Sequence, residues 1–232
     1  MHKVIRFADR ITDFALLLFF LLLLLIGAYT MYDTILVYDV LGGDLSSFKP
    51  LPSDVENGGW DMSVLSDDVV AWLTVDDTNI DYPVMQGRNN NEYLNKDPFG
   101  KYSLAGSLFL DSRNASDFSD SYSLIYGHHM EYDKMFGALD SFMDEAYFNA
   151  HRTATLTVSD RIYPIKFFAC VEADSSVSEI FAPTETDGTL EYVQEHALVW
   201  HRPEGEKLIA LSTCKFPQTT DRIIVFGVLK DE

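Results

Sequence analysis

The chain has 232 residues, 47% of them hydrophobic and 13% aromatic, with a formal net charge of −19. That is enough apolar material for one closed core plus an appendage. Without the three basic and two acidic residues of the first thirty, 14 basic remain against 34 acidic, so the body of the chain has no basic surface to neutralise phosphates and a nucleic-acid partner is excluded.

The N-terminus carries the first element. Nineteen uncharged residues, Phe14 to Tyr32, lie between Asp13 and Asp33. As a helix rising about 1.5 Å per residue they span roughly 28 Å, the thickness of a bilayer's hydrocarbon core. Lys3, Arg6 and Arg10 precede this run, so the positive-inside bias places the N-terminus in the cytoplasm and the rest of the chain outside the cell. A cleaved signal peptide is the rival reading, but the apolar run is long and Gly27-Ala28-Tyr29-Thr30 makes a poor cleavage site. Three segments are expected: a cytoplasmic tip and anchor over 1–32, contacting lipid through 14–32, an extracellular stalk over 33–62, and a folded domain over 63–232. Gly42-Gly43, Pro50, Pro52 and Gly58-Gly59 punctuate the stalk, with Thr34 to Leu41 continuing the anchor helix.

Within the folded domain, Ser66 followed by Asp67-Asp68 and by Val69, Val70 and Trp72 predicts a helix start. Strands are predicted at Ile80–Gln86, Ser107–Leu110, Ser123–Gly127, Thr153–Val158, Arg161–Val171, Lys207–Thr213 and Arg222–Leu229, with Ser159-Asp160 as a hairpin turn. Helical spacing of apolar residues predicts two helices, 133–148 and 189–201. Seven or eight strands with helices inserted late do not alternate as β-α-β, so the expected class is mostly β, a mostly antiparallel barrel.

Both cysteines, Cys170 and Cys214, fall in strand patterns. In an exported protein a pair is first read as a disulfide. Cys170 sits in the apolar run Ile165–Val171 and reads as a small core residue. Cys214 instead ends Leu208-Ile209-Ala210-Leu211-Ser212-Thr213-Cys214, after which a loop leads to a strand opened by Arg222. If the two strands form a hairpin, Cys214 and Arg222 oppose each other, and a guanidinium there favours a thiolate. His128 ends a third strand and shares a face with Tyr126 by alternation, while His129 points the other way. A thiol, an imidazole and an arginine at strand ends suggest acyl transfer through a thioester. Zinc fits poorly, because adjacent histidines on a strand face opposite sides and no Cys-x-x-Cys accompanies them. No metal or other cofactor is expected.

These residues resemble a family. Leu211-Ser212-Thr213-Cys214 with Arg222 on the next strand is similar to the Thr-Leu-x-Thr-Cys signature of sortases. Tyr126-Gly127-His128-His129-Met130 followed by Met135-Phe136 resembles the class B histidine motif. Ile80 to Gly87, Asn90, Tyr93-Leu94 and Gly106 to Asp111 resemble its upstream pattern. The likeness covers about residues 63–230. Two positions depart from the pattern: Ala210 stands where Thr is usual, and Lys215 where an acid is common. The resemblance implies a closed eight-stranded sortase-type β-barrel behind a transmembrane helix, and a membrane-anchored cysteine transpeptidase. Cys214 would attack the carbonyl of a Thr in a C-terminal sorting motif of a secreted protein, and His128 would protonate the leaving amine. A peptidoglycan cross-bridge or precursor amine would resolve the thioester, with Arg222 stabilising the oxyanion. Asn90, Leu94, Tyr126 and Ser212 would line the substrate groove. Two other readings compete: an extracellular cysteine peptidase, which normally orients its His with Asn or Asp, and a tethered binding module with Cys170 and Cys214 bridged. Phe216-Pro217-Gln218-Thr219-Thr220 faintly resembles a sorting motif, but a substrate would carry its apolar tail at the C-terminus.

Overall fold

The computed structural model describes residues 2–42, 45–56, 59–60, 65–184, 188–214 and 220–230. The expected glycine punctuation at Gly43 and Gly58 and the loop residues Lys215 to Thr219 lie outside the described residues. Contacts divide the chain into two units, residues 1–43 and 44–232. The first is one helix, α1 (His2–Gly42), whose Arg10–Tyr32 stretch is long and apolar enough to cross a membrane.

The second unit opens with a 3₁₀ turn, Leu45–Phe48, and a short helix, α2 (Pro52–Glu56). Among the described residues nine strands follow: β1 (Val69–Val75), β2 (Asp81–Met85), β3 (Leu108–Leu110), β4 (Tyr122–Tyr126), β5 (Thr153–Val158), β6 (Arg161–Asp174), β7 (Ala197–Trp200), β8 (Leu208–Cys214) and β9 (Asp221–Leu229). Hydrogen-bonded neighbours run β5-β1-β2-β3-β4-β8-β9-β6-β7, and a further β5–β6 pairing closes eight of these strands into a ring. The ninth, β7, is attached to the far half of the 14-residue β6. Closure removes the open edges that a flat sheet would expose. Seven of the pairings are antiparallel, while β2–β3 and β4–β8 are parallel.

Three expectations fail, each for a local reason. The predicted helix start at Ser66 is a turn into β1. Val69, Ala71, Trp72, Leu73 and Val75 are all buried, and a β-branched run pairing with β2 and β5 outweighs an acidic first turn. Asp68 instead accepts the Tyr93 hydroxyl at 2.7 Å. The predicted helix over 133–148 begins only at Gly137, because Tyr132, Asp133 and Met135 hold positive φ, which no helix accommodates. A 3₁₀ stretch, Gly137–Met143, then gives way at the extended Asp144 to α3 (Glu145–Ala150), where the Asp144 carboxylate caps the Tyr147 N–H at 2.8 Å. The helix predicted over 189–201 is α5 (Thr189–His196). Residues 197–200 form β7 instead, where Trp200 meets Phe168 edge to face at 5.6 Å.

One sheet face carries Tyr122, Leu124, Ala210, Ile224 and Phe226, and packs against Ile180 of α4 (Ser178–Phe181) and Val193 of α5. By alternation Tyr126 and Ser212 continue this face toward the strand ends. A second cluster joins Trp60, Trp72, Met85, Tyr93 and Phe109, against which Leu45, Phe48, Leu94 and Tyr126 pack.

Candidate active site

Parallel register between β4 and β8 creates the site. Tyr126 pairs with Ser212, and the Gly127 N–H donates to the Ser212 carbonyl at 3.1 Å. His128 and Cys214 each stand two residues beyond that pair, so both chains deliver them to the same end of the barrel. The antiparallel β8–β9 ladder then sets Cys214 directly opposite Arg222. The backbone of Cys214 is described; its side chain lies outside the described residues.

A cavity of about 380 Å³ opens at this end. His128, Arg222, Asn90, Leu94, Tyr126 and Ser212 all line it. Thus every expected site residue other than Cys214 contributes to one wall or another, and Cys214 is paired in register with one of them. Leu94 and Tyr126 are half buried and pack on the core while also facing the cavity, so their packing and lining roles coexist. A larger cleft, about 890 Å³, lies between α2 and the β5–β6 hairpin, and no cysteine or histidine is among the described residues that line it.

Individual side chains are held in definite ways. The His128 Nε2 lies 2.7 Å from the Leu94 carbonyl. A carbonyl only accepts, so Nε2 carries the proton and, in the neutral ring, Nδ1 is the nitrogen left to exchange one. Its neighbour His129 turns away to Asp140 at 2.8 Å, as alternation requires. The Ser212 and Thr213 hydroxyls are buried and have no hydrogen-bond partner among the described residues. Both residues line the cavity, with their hydroxyl oxygens shielded from solvent. Beside Arg222, Asp174 is held down at about 2 by hydrogen bonds from the Ser176 and Thr220 hydroxyls, then by the Ser176 N–H and the charge of Arg222. The Ser175 N–H donates to the Thr220 carbonyl at 2.9 Å, so this cluster ties the end of β6 to the start of β9.

Sequence reasoning missed Phe109, Phe181, Ser175 and the Asp111–Arg113 pair. Asp111 is fully buried, and Phe109 stacks beside Tyr126 with ring centroids 5.3 Å apart. The signal available was the charged Asp111-Ser112-Arg113 closing an apolar strand, where a buried carboxylate needs a nearby cation.

Cys170 is buried with a free thiol. It pairs with Val225 on β9, whereas Cys214 pairs with Arg222. With β9 between them, their strands are about 9.6 Å apart before the offset along the chain, well beyond the reach of a disulfide. The bridged binding module is therefore ruled out. Burial, with a smaller contribution from the charge of Glu172, pushes the Cys170 thiol up to about 12, which makes it inert.

Residues 73–230 match the sortase domain family. Sortase B of Listeria monocytogenes is 32% identical over 73% of this chain and 72% of its own. Among solved structures, a Streptococcus pyogenes class B sortase involved in pilus biogenesis is 39% identical with a TM-score of 0.68, over 73% of this chain and 96% of that one. Sortase B from Bacillus anthracis is 29% identical with a TM-score of 0.63, over 72% and 81% of the two chains. With a closed eight-stranded barrel, a cysteine set against an arginine across a hairpin, and these relatives over most of its length, the chain belongs to the sortase family of cysteine transpeptidases, in class B.

Proposed function

We propose that this sortase is held at the cell membrane by residues 1–32, with its N-terminus in the cytoplasm. Residues 33–62 link this anchor to an extracellular catalytic domain over 63–232. The enzyme cleaves a C-terminal sorting motif of a secreted protein after Thr and transfers the acyl group to a peptidoglycan amine. The observation that carries this reading is the convergence of His128, Arg222, Asn90, Leu94, Tyr126 and Ser212 on one cavity, with Cys214 opposite Arg222 in the ladder.

Cys214 is the nucleophile. As its sulfur attacks the Thr carbonyl, the oxygen gains negative charge, and the Arg222 guanidinium supplies planar, permanently charged donors to meet it. The C–N bond then breaks, and the leaving amine takes from His128 Nδ1 the proton that this nitrogen received from the Cys214 thiol. The thioester remains until an acceptor amine, deprotonated by the same nitrogen, attacks it. The Leu94 carbonyl keeps the opposite nitrogen protonated throughout, so the ring cycles at one position. Ser212 borders the path of the peptide, while Leu94 and the Tyr126 ring supply apolar walls.

The ectodomain from about residue 33, given peptides with candidate motifs, is expected to cleave them slowly alone and faster with hydroxylamine or a cross-bridge amine, yielding the amine adduct by mass spectrometry. The S. pyogenes relative is involved in pilus biogenesis, so the amine panel includes a lysine side-chain amine. Efficient cleavage whose rate and products ignore every amine would refute transfer in favour of a cysteine peptidase.

A further inference from the structure

The carboxylate of Asp111 is fully buried yet accepts five hydrogen bonds. Its Oδ1 takes the Arg113 N–H at 3.0 Å and Nε at 2.8 Å. Its Oδ2 takes Arg113 Nη2 at 2.7 Å, Asn90 Nδ2 at 2.8 Å and the Tyr126 hydroxyl at 3.1 Å. Two residues that line the cavity on different elements, Asn90 and Tyr126, therefore hang on one oxygen atom. Arg113, half exposed, also donates through Nη2 to the Phe181 carbonyl at 2.7 Å, at the end of α4. Phe181 is itself a cavity wall. The Asn90 Oδ1 accepts the Ser112 N–H at 2.8 Å, which leaves Asn90 one amide hydrogen and the second lone pair of its oxygen for a neighbouring peptide.

We propose that Arg113 is a positioning residue for the sorting-signal groove: by pairing with buried Asp111 and reaching Phe181, it fixes three walls, Asn90, Tyr126 and α4, at one spacing. This rests on the active-site reading above. A bidentate pair with a second acceptor on the same guanidinium is rigid, and only Arg has the geometry to serve both partners. The walls respond together because the carboxylate is out of reach of water; without its cation it has to rearrange, protonate or draw solvent in. Burial by itself would raise the Asp111 carboxyl, yet the Arg113 hydrogen bonds, the Asn90 amide and the Arg113 charge together hold it below its ordinary value, so the group is ionised in the working enzyme. Asn90 in this arrangement bridges Asp111 and Ser112, and it keeps one amide N–H and one oxygen lone pair for a substrate contact.

The test is Arg113→Lys, which keeps the charge beside Asp111 but loses the fork and the bond to Phe181. Peptide KM is expected to rise about tenfold with kcat within twofold of the parent, while iodoacetamide alkylates Cys214 at the parent rate. Peptide affinity by fluorescence anisotropy, measured on a Cys214→Ala background with and without Arg113→Lys, is expected to fall by the same factor. Tyr126→Phe, which deletes one bond to Asp111 and leaves the ion pair intact, covers the case in which Arg113→Lys melts early; it too is expected to raise KM without slowing alkylation. A KM and affinity within twofold of the parent would overturn the proposal. So would a fall in kcat and alkylation as large as the change in KM, since Arg113 would then act on the reacting groups. Turnover by Cys214→Ala would instead refute the active-site reading, whereas a dead Cys214→Ala with parental KM in Arg113→Lys removes only the clamp.

Discussion

The loop that carries His128 is folded tightly over one glycine, and filling that space tests how the histidine is placed. A Cβ on Gly137 would lie 1.9 Å from the Met130 carbonyl oxygen and 3.0 Å from its carbon. Both atoms belong to backbone, so no side chain can swing aside. Carbon–oxygen contacts of this kind are not found below about 3 Å, so the carbonyl has to retreat by about 1 Å. Met130 is two residues past His128, and the His128 carbonyl accepts the Phe136 N–H at 3.0 Å across the same loop. The displacement therefore reaches the imidazole. The loop has little slack, with Tyr132, Asp133 and Met135 already at positive φ. A misplacement of about 1 Å at a reacting group costs about 10²-fold in rate, or about 2.7 kcal/mol of barrier. Overpacking also destabilises, by about 2 kcal/mol, which lowers the melting temperature of a domain this size by about 4–8 °C. Gly137→Ala is thus expected to fold, to melt slightly early, and to lose about 10²-fold in kcat/KM measured by peptide cleavage. A kcat/KM within threefold of the parent would show that the loop's position does not govern the histidine.

Three further outcomes are expected. In the native enzyme at pH 8, iodoacetamide labels Cys214 and leaves Cys170 untouched, and Cys170→Ala keeps turnover within twofold; labelling of both thiols at one rate by peptide mapping refutes the assignment. Arg222→Lys keeps the charge but loses the planar donors, and loses at least about tenfold in kcat/KM; a loss below about threefold, under 1 kcal/mol, means the fork is not used in the transition state. Asp111 is held below its ordinary value in the folded state, so its stabilisation is full above the unfolded carboxyl value near 3.8 and is lost as pH falls through the lower folded value. Urea unfolding at pH 7 and pH 3 is therefore expected to show a smaller acid loss for Asp111→Asn than for the parent, and an equal loss counts against an ionised Asp111.

Much of the site was legible because strand alternation and short-range order need only the sequence. The run Leu208–Cys214 followed by a strand opening at Arg222 specifies a hairpin, and a hairpin specifies the Cys214–Arg222 pairing that the ladder shows. The Ser159-Asp160 turn joining β5 to β6 was equally local. Apolar runs located all the strands except β1 and β7. Those two failed because an acidic turn and a helix-like apolar spacing read the same in a strand as in a helix, and burial on partners distant in sequence decided between them.

The sequence by itself thus determined the apolar helix at the N-terminus, the strand-rich class, and the identities of Cys214, His128 and Arg222 as the group to watch. Only the tertiary structure decided that β4 lies parallel to β8, which brings His128 and Cys214 to one barrel end although 86 positions separate them in the chain. It alone excluded the disulfide, by placing β9 between the two cysteines. It also alone joined Asn90, Tyr126 and Phe181 through Asp111 and Arg113. Pairings between strands far apart in sequence leave no periodic trace in either segment, because each strand satisfies its own alternation whichever neighbour it meets. The choice of neighbour is made by closing the whole barrel at once.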